Sequence, residues 1–261
     1  MVENGVRSNT IEYATTKLTD LAINWVGTQT KPWFLWIAYN APHMTFHLAP
    51  TDLHSQGNLA TDAASIDANP LPYYLSALEA MDAEMGRFLS SLSAEETANT
   101  VIVFIGDNGT LDKVVQSPYS RQTAKGSLYQ GGINLPMVVS GLGVNRIGVR
   151  ETALINTTDL YKTIGNIVVV SATETHNSQS FYSLFTDENV PKRDFAYSEK
   201  EHEYTNINAT YKYLKRDDKT EKLYKLSLDA YEGSNLMCSA LSGAASAAKM
   251  DLIAEADSIR N

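Results

Sequence analysis

The sequence has a single cysteine, Cys238, in 261 residues, so no internal disulfide can form. Neither a second cysteine nor a histidine cluster stands near it to suggest zinc, and it reads as a small buried apolar residue. Positive charge is in short supply: 21 Lys and Arg face 30 Asp and Glu, for a formal charge of -9 and a pI near 5.0. That balance excludes a broad nucleic-acid surface, which needs clustered cations to displace counterions. An anionic ligand must therefore be met by a local cationic pocket. Long apolar runs are also missing. The longest, residues 33–39 and 164–170, have the size of a strand or a core helix rather than of a bilayer span. The opening MVENGVRSNT lacks the basic, apolar and small-residue sections of a secretion signal.

What is present suffices for a sizeable core: 43% of the residues are hydrophobic. From Thr10 to Val26 apolar residues recur at three- and four-residue steps and predict a helix. WFLWIAYNAPH then reads as a buried strand leaving its sheet at Asn40, with Pro42 closing the turn and His43 just beyond. Residues 45–69 are polar, broken and aperiodic, a long surface loop. A second helix is expected after Pro70, with a stripe through Leu71, Tyr74, Leu75, Leu78, Met81, Met85, Phe88, Leu89 and Leu92. It hands over near Thr100 to the strand VIVFI, which implies a βαβ crossover between the two strands. LPMVVSG is a third strand. Residues 158–169 read as a helix capped by Thr157 or Thr158, with a strand left open by the valines at 168–170. Beyond Thr186, RDFAYSE, TYKYLKR and EKLYKLSLD predict three short antiparallel strands, and residues 235–259 a closing helix.

Polar residues gather at the ends of these strands. VIVFIG runs directly into Asp107, Asn108 and Gly109, at the edge where open α/β sheets hold ligands. Asp-Asn-Gly by itself is equally an ordinary turn. His43 follows the first strand, and Lys125 lies in the irregular stretch after Gly109. A carboxylate beside an amide oxygen suits calcium or magnesium rather than zinc. Histidine and lysine near such an ion suit an anionic substrate.

The ordered blocks KPWFLWIAYNAPH, LEAMDAEMGRFLSSL, NTVIVFIGDNG, AKGSLYQGGINLPMVV, TDLYKTI and EKLYKLSLD…SNL resemble the sulfatase family of the alkaline phosphatase superfamily over nearly the whole chain. The resemblance implies an α/β fold, a mostly parallel sheet flanked by helices, with a small C-terminal antiparallel subdomain and a closing helix. It divides the chain into an incomplete sulfatase-like domain at 1–185 and the antiparallel strands plus helix at 186–261. It makes Asp107 and Asn108 calcium ligands, His43 a contact to the sulfate, and Lys125 the residue that binds sulfate and assists the leaving group. In this family a formylglycine, made from Cys or Ser in a C/S-x-P/A-x-R motif, attacks sulfur as its hydrate.

No such motif occurs in these 261 residues, and Cys238, followed by SAL, is no substitute. The chain therefore resembles the part of a sulfatase C-terminal to the nucleophile, with an incomplete calcium ligand set and no turnover expected alone. Gln130 replaces the acid that usually precedes the paired glycines Gly131 and Gly132. The implied substrate is a small-molecule or carbohydrate sulfate ester, and the family expectation is a periplasmic or secreted protein. Rival readings are a phosphonate or phosphodiester hydrolase of the same superfamily, and a non-catalytic member that pairs with itself or a partner through an exposed sheet edge. His47 and His54 read as ordinary loop histidines, and Asp82 as a structural hydrogen-bonding residue of its helix.

Overall fold

A computed structural model describes residues 2–3, 5–8, 11–171 and 174–260, which form two compact units, Met1–Thr100 and Val101–Asn261. The first opens with a short antiparallel hairpin, β1 (Val2–Glu3) and β2 (Val6–Arg7). Helix α1 (Ala14–Val26) follows, close to the periodic reading; Thr10, where the period begins, lies outside the described residues. The polar stretch 45–69 is mostly loop but contains a short helix, α2 (Ala63–Ala68), which the sequence reading missed. Asp62 starts it by accepting from the Ser65 N–H at 3.0 Å, an N-cap that satisfies one orphan donor.

Helix α3 (Leu71–Ser91) packs on α1, and α4 (Ala94–Ala98) follows behind a Ser93/Glu96 capping box. The fully buried face of α3 is Tyr73, Ser76, Ala77, Ala80 and Glu84. The large-residue stripe is only partly covered, and Leu89 is exposed. Small residues let α1 approach, and Glu84 makes the contact polar by accepting from Thr16 Oγ1 at 2.9 Å and pairing with Arg87 at 2.6 Å. Asp82 is exposed.

Residues 33–39 belong to no strand. Trp33, Leu35, Ile37 and Tyr39 are half-buried, while Phe34 and Trp36 are 63% and 80% exposed. The expected buried strand is thus corrected to a segment that is half-buried on one side and exposed on the other. A ladder needs an adjacent backbone to exchange hydrogen bonds. The expected parallel crossover is likewise absent: every ladder among the described residues is antiparallel.

In the second unit, β3 (Val101–Ile105) pairs antiparallel with β4 (Met137–Gly141), with Val103 opposite Val139. One face of this ribbon, through Val101, Met137 and Val139, packs on Phe181, Leu184 and Phe185. Between the two strands lies the short helix α5 (Gln130–Ile133). Helix α6 (Asp159–Ile167) forms where expected, and the valines after it are not a strand. Thr158 is the N-cap, as expected, but its side chain makes no cap hydrogen bond; Asp159 accepts from the Asn156 N–H at 2.8 Å and closes the turn from inside the helix.

The C-terminal sheet is a meander in sequence order, β5 (Ala196–Lys200), β6 (Glu203–Ile207), β7 (Tyr211–Lys215) and β8 (Glu221–Lys225). It has four strands rather than the expected three. The missing one, EYTNI, buries Thr205 and Asn206, so it carries no apolar alternation. Helix α7 (Gly243–Arg260) closes over Tyr204, Tyr213 and Leu223 with Ala245, Leu252 and Ala256. Cys238 is exposed, contrary to expectation, because the 3-10 turn Leu236–Cys238 turns Leu236 and Met237 toward that core instead. No helix among the described residues is long and apolar enough to cross a membrane.

Candidate functional site

Strand β3 ends at Ile105, and the N–H of the next residue, Gly106, still donates to Pro136 O at 3.0 Å. The chain then leaves the ribbon and sets out Asp107, exposed, and Asn108, half-buried. The Asn108 amide donates to the Asp107 carboxylate, so the two side chains are held together. Gly109 follows against another backbone: a Cβ there would lie 1.9 Å from Gly131 O. Gly131 and Gly132 are equally confined, with a Cβ 2.4 Å from Thr123 O and 2.2 Å from Ser127 O. Only glycines permit this approach, and two hydrogen bonds use it. Gly109 N donates to Gly132 O at 3.0 Å, and Lys125 N donates to Thr110 O at 3.0 Å. Asp107, Asn108 and Lys125 therefore sit on loops stitched to each other within one unit.

The lysine loop is braced from its other side by the C-terminal sheet. Lys200 Nζ donates to Gly126 O at 2.8 Å, Lys212 Nζ to Leu128 O at 2.5 Å, and Lys222 Nζ to the Tyr129 hydroxyl at 2.7 Å. Glu232 accepts from Gln130 N at 2.6 Å and pairs with Lys212 at 2.6 Å, both side chains wholly enclosed. Burial holds the Lys212 ammonium below the usual lysine range, against the opposing pull of Glu232. Sequence reasoning missed this pair. Lys212 sits in a strand of alternating Tyr and Lys, Glu232 lies 102 residues from its backbone partner, and nothing in either segment announces a buried charge.

His43 belongs to the first unit, in a turn closed by its own N–H on Asn40 O at 2.8 Å. Its Nδ1 lies 2.6 Å from Met44 O. A carbonyl only accepts, so Nδ1 carries a proton in this contact, and Nε2 takes no part in it. His47 packs edge-on against Tyr13, and His54 Nδ1 accepts from Gln56 N at 3.1 Å, both loop contacts.

Asp107 and Asn108 offer hard oxygen donors, the chemistry that calcium or magnesium takes. They number two against the roughly six to eight that calcium uses. Among the described residues no group of three or more His, Cys, Asp or Glu side chains is placed to hold a metal.

The sulfatase family model matches residues 2–168, well over half of the chain. The chain belongs to the sulfatase family. It is 24% identical over 269 residues to a sulfatase of Formosa agariphila, covering 87% of this chain and 46% of that protein. It is 30% identical over 157 residues to the protein named "Uncharacterized sulfatase YdeN" of Escherichia coli (strain K12), covering 58% of this chain and 27% of that one. Among solved structures, Ps i-CgsB in complex with k-i-k-neocarrahexaose superimposes with a TM-score of 0.81 at 22% identity, over 98% of this chain and 56% of the other. The sulfatase α/β architecture, with its C-terminal antiparallel sheet and closing helix, is therefore shared. This chain spans about half or less of the length of these curated relatives.

Proposed function

We propose that this chain carries part of the anion and metal machinery of a sulfate-ester hydrolase. In this reading Lys125 holds the sulfate and supports the departing oxygen, and His43 contacts the sulfate through Nε2. Asp107 and Asn108 contribute two oxygens to a calcium ion, whose chemistry is to neutralise charge on the sulfuryl oxygens. Asn108 must turn its amide oxygen toward the ion, giving up its bond to Asp107. The 261 residues hold no C/S-x-P/A-x-R motif, so this reading assigns them no nucleophile; it puts the compartment as periplasmic or extracellular. A sulfate monoester repels nucleophiles, so fixed cations beside the reacting group are what the chemistry requires. The reading is supported above all by the double stitching of the Asp107–Asn108 turn to the Lys125 loop at Gly109 and Thr110.

The purified chain tests it. Phenyl sulfate titrated into isotope-labelled protein should shift the amides around Lys125, and Lys125→Ala should weaken binding about tenfold, the loss expected for one charge-assisted hydrogen bond. Unchanged affinity in Lys125→Ala overturns the assignment. Calcium should bind more weakly than micromolar, with Asp107→Ala abolishing what binding there is, and 4-nitrophenyl sulfate should not turn over. Micromolar calcium affinity or hydrolysis by the chain contradicts the incomplete ligand set.

A further inference from the structure

A cavity of about 260 Å³ lies between the lysine loop and the C-terminal sheet. That is just below the ~300–1,000 Å³ common for small-molecule sites and suits about one sugar ring. Its two walls differ in chemistry. The loop wall carries Arg121 and Lys125, and neither cation has an ion pair or side-chain hydrogen bond among the described residues. The sheet wall carries Lys200 and Arg216, both already engaged, Lys200 with Gly126 O at 2.8 Å and Arg216 with Glu203 at 3.3 Å. It also carries Glu201 and Asp217, whose carboxylates have no ion-pair partner among the described residues. In a chain of charge -9, two uncommitted cations lining one cavity form a local exception.

We infer that this cavity receives a saccharide ring bearing a second anionic group, which Arg121 reads while Lys125 meets the reacting sulfate. The inference rests on the reading of Lys125 given above. A guanidinium presents a planar fork of donors suited to a tetrahedral anion, and a charge-assisted pair of this kind is stronger than a neutral one. The opposite wall fits the rest of a sugar, since the carboxylates of Glu201 and Asp217 accept hydrogen bonds from ring hydroxyls. An aryl group would leave those carboxylates without donors, so the mixed wall favours a polyol over a flat apolar leaving group. Arg121 is a specificity residue here rather than a catalytic one.

Four probes separate the possibilities: a glucose disulfate, a glucose monosulfate, phenyl sulfate and glucose itself, each titrated into the intact chain. The disulfate should bind about tenfold more tightly than the monosulfate. Arg121→Ala should erase that preference and leave monosulfate binding unchanged, whereas Lys125→Ala should weaken both sulfated sugars equally. Glu201→Gln should narrow the advantage of monosulfate over phenyl sulfate. Equal affinity of parent chain for disulfate and monosulfate, no binding of either, or a preference that survives Arg121→Ala overturns the inference. An effect of Arg121→Ala without any effect of Lys125→Ala instead overturns the sulfate-ester reading of Lys125 and leaves the cavity as a simple anion site. Arg121 is exposed, so its variant should keep the parent melting temperature, which circular dichroism checks in the same samples.

Discussion

Lys212 and Glu232 are two full charges whose side chains are 0% and 1% exposed, 2.6 Å apart, and between them they fasten both Leu128 and Gln130. Glu232 does so from the left-handed region, at φ 60°, a conformation that costs a non-glycine residue about 1–3 kcal/mol. Breaking a buried pair leaves a charge uncompensated, so Lys212→Met or Glu232→Gln should each destabilise by about 3–5 kcal/mol in urea unfolding. The double variant removes both charges and keeps a side-chain carbonyl for Gln130 N, and it should recover much of that loss. A double variant as unstable as the sum of the singles sinks this account. Glu151 is a more exposed counterpart. Hydrogen bonding to Arg146 at 2.7 Å, with help from Lys192 at 3.0 Å, draws its carboxyl from 4.5 down to about 2. A depressed folded-state value stabilises above the unfolded value and is lost as pH falls. Its contribution should therefore be complete above about pH 5 and disappear between about 4.5 and 2, and Glu151→Gln should flatten the stability profile in that window alone.

At the scale of elements, the loop that carries Lys125 has no regular structure of its own and takes its shape from what grips it: three glycine contacts on one side, and on the other three polar contacts from the C-terminal sheet and one from Glu232 beyond it. Gly109→Ala should therefore act at a distance. Its Cβ meets the Gly131 carbonyl at 1.9 Å, backbone that can yield only by parting the loops, and overpacking of this kind costs about 1–3 kcal/mol. Faster hydrogen exchange at the Gly109 and Lys125 amides, both donors across that seam, is the expected signature; unchanged exchange at Lys125 shows that the loops are not coupled. The same elements show what could be read in the sequence. Strands 101–105 and 137–141 are legible because their apolar runs end in turn residues, and α1, α3 and α7 because their periods are long. Strand β6 is not, since Thr205 and Asn206 are buried for hydrogen bonds to Tyr213 O and Leu252 O rather than for apolar contact. The candidates Asp107, Asn108 and Lys125 are named from their motifs. The cavity-lining place of Arg121 and the enclosure of Glu232 have no such signal, since both arise only where non-adjacent segments fold against each other.

For the molecule as a whole, the two units differ in how their interiors are built. Among the described residues, half of the buried apolar ones of the first unit are alanines, Ala22, Ala49, Ala77 and Ala80, and its helix contact is completed by Thr16, Glu84 and Arg87. The second unit buries Phe181, Phe185, Tyr204, Tyr213, Leu214, Leu223, Tyr224 and Leu252. Since stabilisation follows apolar area removed from water, at about 25 cal/mol per Å², the second unit should be the more stable. Chains of more than one compact unit need not unfold in one step. The three tryptophans, Trp25, Trp33 and Trp36, all lie in the first unit, so their fluorescence reports that unit while far-ultraviolet circular dichroism reports both. The fluorescence midpoint in urea should precede the final part of the dichroism transition. Leu252→Ala, which opens a cavity at a wholly buried position, should move that later part by about 2–5 kcal/mol and leave the fluorescence midpoint in place. Exposed Phe34 and Trp36 add a control: Phe34→Ser should alter neither midpoint by more than about 0.5 kcal/mol, as expected of a residue already in water. Coincident transitions in the parent chain, shifted together by Leu252→Ala, would mean that the 261 residues fold as one cooperative body and that the alanine-built unit draws its stability from the other.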